Sequence, residues 1–293
     1  MNYILENNRL KVKISSLGAE LQSIYCPDTD TEYLWQGDPQ YWARRASNLF
    51  PVCGRLADGC YRYQRKKYRI GSHGFARSME WSVLRQTADT LTLQLLPNED
   101  TLAQYPFRFV LEMTYALEDN RLSVTTIVRN EDDKEMPFAV GGHPGFNVPL
   151  AEGETFADYR LCFDEPCKPR WLELDPDTCS FTGNYKELPL IEDRLLPLTH
   201  DLFDGDAIFL KGAATGVALC SQVSNRQVHL SYPDSPYLGI WHTPKTEAPF
   251  VCIEPWVMAP SQLEKTEDIM TKADLIHLQP DEGYRNTYVI TVD

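Results

Sequence analysis

Apolar and polar residues alternate along much of this 293-residue chain, and the alternation has a period of two residues. Leu10, Val12 and Ile14, for example, are separated by Lys11 and Lys13. Successive side chains of a β-strand point to opposite faces of its sheet, so this pattern predicts a strand with one buried face. The same reasoning predicts strands at residues 18–25, 32–35, 61–70, 81–84, 91–95, 107–117, 122–128, 159–163, 206–210, 216–220, 228–232, 237–241, 250–254 and 284–292.

Helices of ordinary length are not predicted, because no segment shows a long apolar repeat of 3.6 residues. We expect a short helix within residues 98–105, one helical turn that begins at Asp38-Pro39, and a short helix at residues 261–264, which have the form of a capping box. Asp119-Asn120 predicts a hairpin turn. Many strands at this spacing are typical of an all-β fold, so we expect a large antiparallel β-sandwich with few short helices.

The composition is that of a globular protein with a sizeable core, since 43% of the residues are apolar and 24% are charged. No linker or internal repeat divides the chain, so we predict a single domain over residues 1–293. Residues 164–205 are less regular and rich in Pro, Asp and Leu. Both a lid and an interface are consistent with this stretch, and the oligomeric state stays open between monomer and homodimer.

The formal net charge of −14 narrows the classes of partner. Affinity for nucleic acid comes mainly from Lys and Arg that neutralise phosphates, so we expect neither a nucleic-acid partner nor docking on an anionic membrane. Residues 1–6 lack the basic region and apolar run of a signal peptide. No apolar run approaches the roughly 18 residues that span a bilayer. These features predict a cytoplasmic location.

The cysteine pattern points to free thiols. None of the eight cysteines forms a C-x-x-C pair, and none lies at a zinc-finger spacing from a histidine. In a chain without a secretion signal, reduced thiols are the expected state. We therefore predict no disulfide and no structural metal.

The segment 141–147, with the sequence GGHPGFN, holds the first candidate for chemistry. His143 is surrounded by three glycines and Pro144. Glycine reaches backbone angles that other residues avoid, and proline fixes φ. We therefore expect a loop that presents one imidazole rather than a strand. A histidine that only bonds to the backbone of a turn is the structural alternative.

Three other segments contain residues suited to a polar site: 48–55 (NLFPVCGR), 73–77 (HGFAR) and 252–256 (CIEPW). Arg55 lies in an apolar segment, where it either pairs with a carboxylate or holds a polar ligand. Glu254 lies between apolar residues, where it is either a strand carboxylate paired with an arginine or a base. Burial beside Trp256 would raise the pKa of Glu254, and a histidine titrates near neutrality, which suits an acid–base pair.

Taken in chain order, NLFPVCGR, HGFAR, GGHPGFN and IEPW resemble motifs of the aldose 1-epimerase (galactose mutarotase) family, and most of all its LacX-like branch. The resemblance covers nearly the whole chain and implies a galactose mutarotase-like supersandwich. It also implies an enzyme of carbohydrate metabolism that interconverts the α and β anomers of a hexose. Such a reaction requires a base and an acid, which we expect on opposite sides of the sugar, and it requires no metal, redox cofactor or covalent intermediate.

The resemblance also implies roles for individual residues. Glu254 is expected to be the general base, His143 the general acid, and His73 a donor near the ring oxygen. Arg55 is expected to bind a sugar hydroxyl, and Asp206 to accept hydroxyl protons, although the loose match at residues 204–209 leaves Asp204 as an alternative. Asn48, Arg77 and Trp241 are further expected contacts to the substrate. Trp35 and Phe75 are other stacking candidates, and His242 is a lesser candidate for the pocket wall.

Two alternative functions remain open. The HGFAR motif is also similar to that of the glucose-6-phosphate 1-epimerase branch, so the substrate can be a hexose 6-phosphate held by Arg44, Arg45, Arg55 or Arg77. A carbohydrate-binding or sensing module with the same fold is the second alternative, because a fold alone does not guarantee activity.

Overall fold

The computed structural model describes residues 1–263 and 265–293, and strands dominate this part of the chain. In chain order the strands are β1 (Asn2–Glu6), β2 (Lys11–Ser15), β3 (Leu21–Cys26), β4 (Thr31–Glu32), β5 (Ala46–Leu49), β6 (Cys60–Tyr63), β7 (Lys66–Arg69), β8 (Ser82–Gln86), β9 (Thr90–Leu95), β10 (Phe109–Glu118), β11 (Arg121–Asn130), β12 (Met136–Phe138), β13 (Gly141–Asn147), β14 (Tyr159–Phe163), β15 (Arg170–Leu174), β16 (Phe181–Glu187), β17 (Leu195–Pro197), β18 (Ile208–Lys211), β19 (Gly216–Ser221), β20 (Gln227–Ser231), β21 (Tyr237–Trp241), β22 (Phe250–Trp256), β23 (Ile276–Leu278) and β24 (Gly283–Val292).

Helices are short. One α-helix, α1 (Glu99–Gln104), follows β9, and the remaining helical segments of the described chain are 3₁₀ turns at Pro27–Thr29, Ala57–Gly59, Ala76–Ser78, Phe156–Asp158 and His200–Phe203. None of the described helices has the length and apolar character that crossing a membrane requires.

Two large antiparallel sheets form the sandwich. One has nine strands in the order β17-β14-β19-β20-β24-β11-β10-β9-β8, and the other has seven in the order β16-β15-β18-β21-β22-β13-β5. A four-stranded sheet β1-β2-β3-β4 and the pairs β6-β7 and β12-β23 complete the architecture. Buried apolar side chains of both large sheets, such as Tyr115 and Ile253, belong to one continuous core. The predicted all-β fold with few short helices is confirmed.

Several local predictions are confirmed closely. Tyr159–Phe163 and Tyr237–Trp241 are strands with the predicted bounds. Asp119-Asn120 forms the two-residue turn between β10 and β11, whose last pair is Glu118 with Arg121. Asn98 caps α1, since its side chain accepts a hydrogen bond from the Thr101 amide.

Other predictions need correction. Residues 61–70 form a hairpin of β6 and β7 rather than one strand, and the irregular stretch 164–205 contains β15, β16 and β17. Asp38 does start a turn, because its carbonyl accepts from the amide of Trp42 at 2.9 Å. Residues 261–263 are not helical, and Gln262 forms a bridge with Phe181. Glu264, the last residue of the predicted capping box, lies outside the described residues.

The segment 141–147 is a strand, so the predicted loop around His143 is wrong. This strand, β13, lies between β22 and β5. Its glycines serve close packing instead of unusual backbone angles. A Cβ on Gly142 would lie 2.8 Å from the ring of Tyr288, and a Cβ on Gly145 would lie 3.2 Å from the ring of Trp42. Glycine is therefore required here because aromatic rings contact the backbone.

Candidate active site

The centre of the site lies on two neighbouring strands of the seven-stranded sheet. Gly141 pairs with Trp256, and Gly145 pairs with Cys252. Between these pairs the antiparallel register sets His143 of β13 opposite Glu254 of β22. Side chains at opposite positions point to the same face of a sheet, which explains how two residues 111 positions apart in sequence meet.

The two side chains contact each other. Nε2 of His143 lies 3.3 Å from Oε2 of Glu254, and the side chains are only 10% and 4% exposed. Burial, with a smaller contribution from the charge of Asp206, raises the pKa of Glu254 well above its usual range. Burial also lowers the pKa of His143 to about 3. Since each group alone resists a charge, the pair holds one proton between them, and its titration belongs to both residues.

His73 adds a third polar group beside this pair. It has a left-handed backbone with φ of 63°, and its amide donates to the carbonyl of Gly54 at 2.8 Å. Its Nδ1 accepts from the Gly54 amide at 3.1 Å, so Nε2 carries the proton in the neutral ring. Burial, followed by the charges of nearby His143 and arginines, lowers the pKa of His73 well below its usual range. His73 is therefore a neutral donor that is fixed by its turn.

These groups face a cavity of about 340 Å³. The predicted site residues that line it are His73, His143, Glu254, Arg55, Arg77, Asp206 and Trp241. Residues that the sequence did not identify as site residues also line it: Trp42, Gly54, Ser72, Leu174, Cys179, Ala207, Phe209, Trp256 and Pro260. The cavity thus combines acid–base groups, cations and aromatic surfaces in one concave space, as small-molecule sites usually do.

Asp206, rather than Asp204, faces the cavity. Both of its carboxylate oxygens accept hydrogen bonds: Oδ1 from Nε1 of Trp241 at 2.9 Å, and Oδ2 from Sγ of Cys179 at 2.8 Å. Its φ of 78° is unusual for a residue with a side chain, and such backbone strain is common at functional sites. Asp204 is exposed and does not line the cavity. The two donors fix the carboxylate of Asp206 in one orientation.

The arginines divide into two groups. Arg44 donates to the carbonyl of Arg77 at 3.0 Å and pairs with Glu20 at 3.7 Å, while Arg45 donates to backbone carbonyls at 2.9 Å. These two side chains support the structure around the site. Arg55 and Arg77 line the cavity, and neither guanidinium makes a hydrogen bond or salt bridge within residues 1–263 and 265–293.

Four expected residues lie elsewhere. Asn48 is 3% exposed, and its amide donates to the carbonyls of Gly18 and Ala19 and to the hydroxyl of Tyr115. Asn48 does not line the cavity, and these contacts are structural ones inside the sandwich. Trp35 packs on Phe250, whereas Phe75 lies in the core beside Phe50 and His242 bonds to His200 instead of lining the cavity.

The residues missed by sequence reasoning gave little signal. Trp42 follows the Asp38 turn, far in sequence from the histidine motifs, and only the fold brings it against His143, with ring centroids 4.8 Å apart. Cys179 lies in the irregular stretch 164–205, where no motif singles it out. Residues such as these contribute through packing between distant segments, which local patterns do not encode.

One group of side chains has the donor set of a metal site. A nitrogen of His143, the sulfur of Cys252 and a carboxylate oxygen of Glu254 all lie within 4.8 Å of one another. Zinc accepts these three ligand types. Cys252 does not line the cavity, however, and it is fully buried. That the reaction requires no metal stays a prediction.

The fold and the site identify the class of protein: the chain belongs to the aldose 1-epimerase family, whose sequence profile matches residues 1–285. It is 32% identical to the plasmid-encoded protein LacX of Lactococcus lactis subsp. lactis over 100% of this chain and 99% of that protein.

Solved structures agree with this assignment. A galactose mutarotase related enzyme from Lactobacillus acidophilus is 36% identical and superposes with a TM-score of 0.95, over 100% of this chain and 97% of the other. A galactose mutarotase-like protein from Lactobacillus casei ATCC 334 is 33% identical, with a TM-score of 0.93 and complete coverage of both chains. The predicted family and its LacX-like branch are therefore confirmed.

Proposed function

We propose that this protein is an aldose 1-epimerase, an isomerase that interconverts the α and β anomers of a hexose by general acid–base catalysis. The observation that carries the proposal is the contact of 3.3 Å between His143 and Glu254 at the wall of a polar and aromatic cavity. A buried carboxyl–imidazole pair that shares one proton can supply both the general base and the general acid that this reaction requires. Membership of the aldose 1-epimerase family adds independent support.

In the proposed reaction, Glu254 as carboxylate takes the proton of the anomeric hydroxyl while His143 as imidazolium gives its proton to the ring oxygen. The bond between C1 and the ring oxygen breaks, its electron pair goes to the ring oxygen, and C1 becomes an aldehyde. Rotation about the C1–C2 bond presents the other face of the aldehyde, and the steps then reverse. The two residues exchange protonation states during each opening and recover them on closure.

The relative positions of acid and base differ from the sequence-based expectation. His143 and Glu254 lie side by side on neighbouring strands, not on opposite sides of the cavity. Adjacent groups suffice because the anomeric oxygen and the ring oxygen are bonded to the same carbon. His73, whose Nε2 carries a proton, would donate near the ring oxygen, and Arg55 and Asp206 would bind hydroxyls.

A hexose 6-phosphate is the second candidate substrate, and Arg77 is the observation that favours it. The guanidinium of Arg77 is half-buried at the cavity and makes no hydrogen bond within the described parts of the chain. Burial and the neighbouring Arg44 lower the pKa of Arg77. A negatively charged group bound at this position would therefore stabilise the charged guanidinium. Competition between a hexose and its 6-phosphate would test this: equal preference for the two removes the candidate.

A carbohydrate-binding or sensing module is the remaining alternative. Binding alone does not need an acid–base pair, so the contact between His143 and Glu254 weighs against it. Saturable sugar binding without anomer exchange would support such a module.

The decisive experiment is anomer exchange of glucose and galactose, measured by NMR saturation transfer with the wild type, His143→Ala and Glu254→Gln. We expect exchange above the spontaneous rate with the wild type and its loss in both variants. Exchange that persists in His143→Ala would keep the enzyme class but move the acid to another residue. If the wild type leaves both the sugars and their 6-phosphates at the spontaneous rate, the proposal is wrong for these substrates.

We also propose that the chain works as one domain and without a metal. One apolar core connects both large sheets, which supports the first point. Exchange that is unchanged after dialysis against EDTA would support the second. The eight free cysteines are typical of a reducing compartment and support a cytoplasmic location, while the oligomeric state stays open.

A further inference from the structure

His143 lacks the hydrogen bond that usually orients a catalytic imidazole. In many acid–base sites, the second ring nitrogen bonds to a carboxylate or carbonyl, which fixes both the ring and its tautomer. Here Nε2 contacts Glu254, while Nδ1 is buried and has no hydrogen-bond partner among residues 1–263 and 265–293. Some other contact must therefore hold the ring.

Aromatic rings surround the imidazole instead. The ring of Trp42 stacks on it, with centroids 4.8 Å apart and an interplanar angle of 26°. Trp241 and His73 meet it edge-on, at 5.8 and 5.4 Å. The only face-to-face contact among these belongs to Trp42, a residue that comes from a separate segment of the chain.

Trp42 is itself held in place. Its carbonyl accepts a hydrogen bond from Nε1 of Trp35 at 2.8 Å, and its ring stacks on Phe250 with centroids 5.8 Å apart. Gly145 leaves the space that the ring occupies, since a Cβ there would lie 3.2 Å from it. The indole is thus a fixed surface rather than a mobile side chain at the rim.

We propose that Trp42 is a positioning residue for His143: its indole face holds the imidazole toward Glu254 and stabilises the imidazolium that the acid step requires. This inference rests on the proposed function of His143 as the general acid. The face of an indole attracts a cation within about 6 Å of its centre, and the attraction is stronger where water is excluded. The stack therefore favours the charged ring over the neutral one, against the effect of burial.

Other charges act on the same imidazole. Glu254 lies beside it and favours the imidazolium, whereas Arg77 and Arg44 disfavour it. His73 is neutral because burial lowers its pKa. The sulfur of Cys252 lies within 4.8 Å of a ring nitrogen of His143, and burial raises the pKa of this thiol, so it is also neutral. Since replacing Trp42 removes none of these groups, a shift in the titration of His143 reports on the loss of the indole.

The test is ¹⁵N NMR of the imidazole of His143 over a pH series, with wild type, Trp42→Phe and Trp42→Leu. The His143→Ala spectrum assigns the signal among the six histidines. We expect the midpoint of His143 to fall by about 0.5 to 1.5 pH units in Trp42→Leu and by less in Trp42→Phe. We expect kcat to fall in the same order, because less of the pair carries its proton on His143, with the acidic limit of activity displaced to lower pH.

A matched control is Phe209→Leu, which removes another aromatic ring of the same cavity, one that packs on Trp256 rather than on His143. It should leave the midpoint of His143 unchanged. If Trp42→Leu also leaves the midpoint and kcat unchanged and only raises KM, Trp42 is a surface for the sugar and the inference is overturned. The NMR midpoint is measured without substrate, so absence of exchange in the wild type would overturn the proposed function and leave this inference testable.

Discussion

The thiol of Cys179 donates a hydrogen bond of 2.8 Å to the carboxylate of Asp206. This contact ties the stretch 164–205 to the cavity, because Cys179 precedes β16 and Asp206 precedes β18. Burial, followed by the hydrogen bond to Asp206, raises the pKa of the Cys179 thiol to about 11, so it remains a donor at neutral pH. The irregular stretch therefore contributes a wall of the site.

From this contact we predict that Cys179→Ala raises KM several-fold and that Cys179→Ser, which keeps a donor, changes KM less. A hydrogen bond to a charged acceptor contributes roughly 1.5–3 kcal/mol, and its loss frees one oxygen of Asp206. Steady-state mutarotation assays would measure both constants. Cys162→Ser is the control, since that half-buried thiol lies on β14, away from the cavity. Equal KM values in Cys179→Ala and wild type would contradict the role of this contact.

Activity should persist at pH values below the ordinary pKa of histidine. The active form of the His143–Glu254 pair carries one proton. At low pH both groups are protonated and the base is lost, whereas at high pH neither is protonated and the acid is lost. The first limit follows the lowered pKa of His143, about 3, and the second follows the raised pKa of Glu254. The profile of kcat/KM against pH, corrected for spontaneous mutarotation, would check this. An acidic limit near pH 6.5 would instead show that His143 titrates like an exposed histidine.

Acid should destabilise the fold through two histidines that contact each other outside the cavity, His200 and His242. Nδ1 of His200 lies 3.2 Å from Nε2 of His242, whose own Nδ1 bonds to the carbonyl of Thr243. Burial lowers the pKa of His242 to about 4, and the residue is 0% exposed. The unfolded chain binds a proton near pH 6.5 and the folded chain does not, so the free energy of unfolding decreases as the pH falls from about 6.5 to 4.

The expected decrease from His242 is on the order of 2–3 kcal/mol, and urea unfolding at several pH values would measure it. His242→Gln removes this titration, so the variant should lose stability less steeply with acid than the wild type, whatever its stability at neutral pH. His277→Gln is the control, because that imidazole lies on β23, is half-buried, and has its Nδ1 2.8 Å from a carboxylate oxygen of Glu135 rather than beside His242. The same slope in wild type and His242→Gln would contradict the assignment.

Sequence patterns predicted the strands better than the site. Alternation located Tyr159–Phe163 and Gly283–Val292 well, because a half-buried strand has to alternate. Most site residues were predicted through motif resemblance, and Asn48 shows the limit of that route: it belongs to a motif, yet its amide bonds to backbone inside the sandwich. Trp42 and Cys179 were missed because only the packing of distant segments places them at the cavity.

The same limit explains the wrong prediction for residues 141–147. A run of glycines usually indicates a turn, because glycine tolerates left-handed backbone angles. In β13, glycine instead provides space for rings from other segments of the chain, and sequence alone does not distinguish these two uses. We therefore predict that Gly142→Ala destabilises the protein by about 1–3 kcal/mol, because the added Cβ would lie 2.8 Å from the ring of Tyr288.

Urea unfolding of Gly142→Ala beside Gly205→Ala would test this packing. Gly205 has no atoms within 4 Å of the position of a Cβ, so its variant should be close to the wild type in stability. Tyr288 lies on β24 of the opposite large sheet, so displacing its ring would also disturb the contact between the two sheets next to His143. We expect Gly142→Ala to lower kcat as well. Wild-type stability in Gly142→Ala would mean that the backbone of β13 can move away from the ring, and that glycine is not needed there for space.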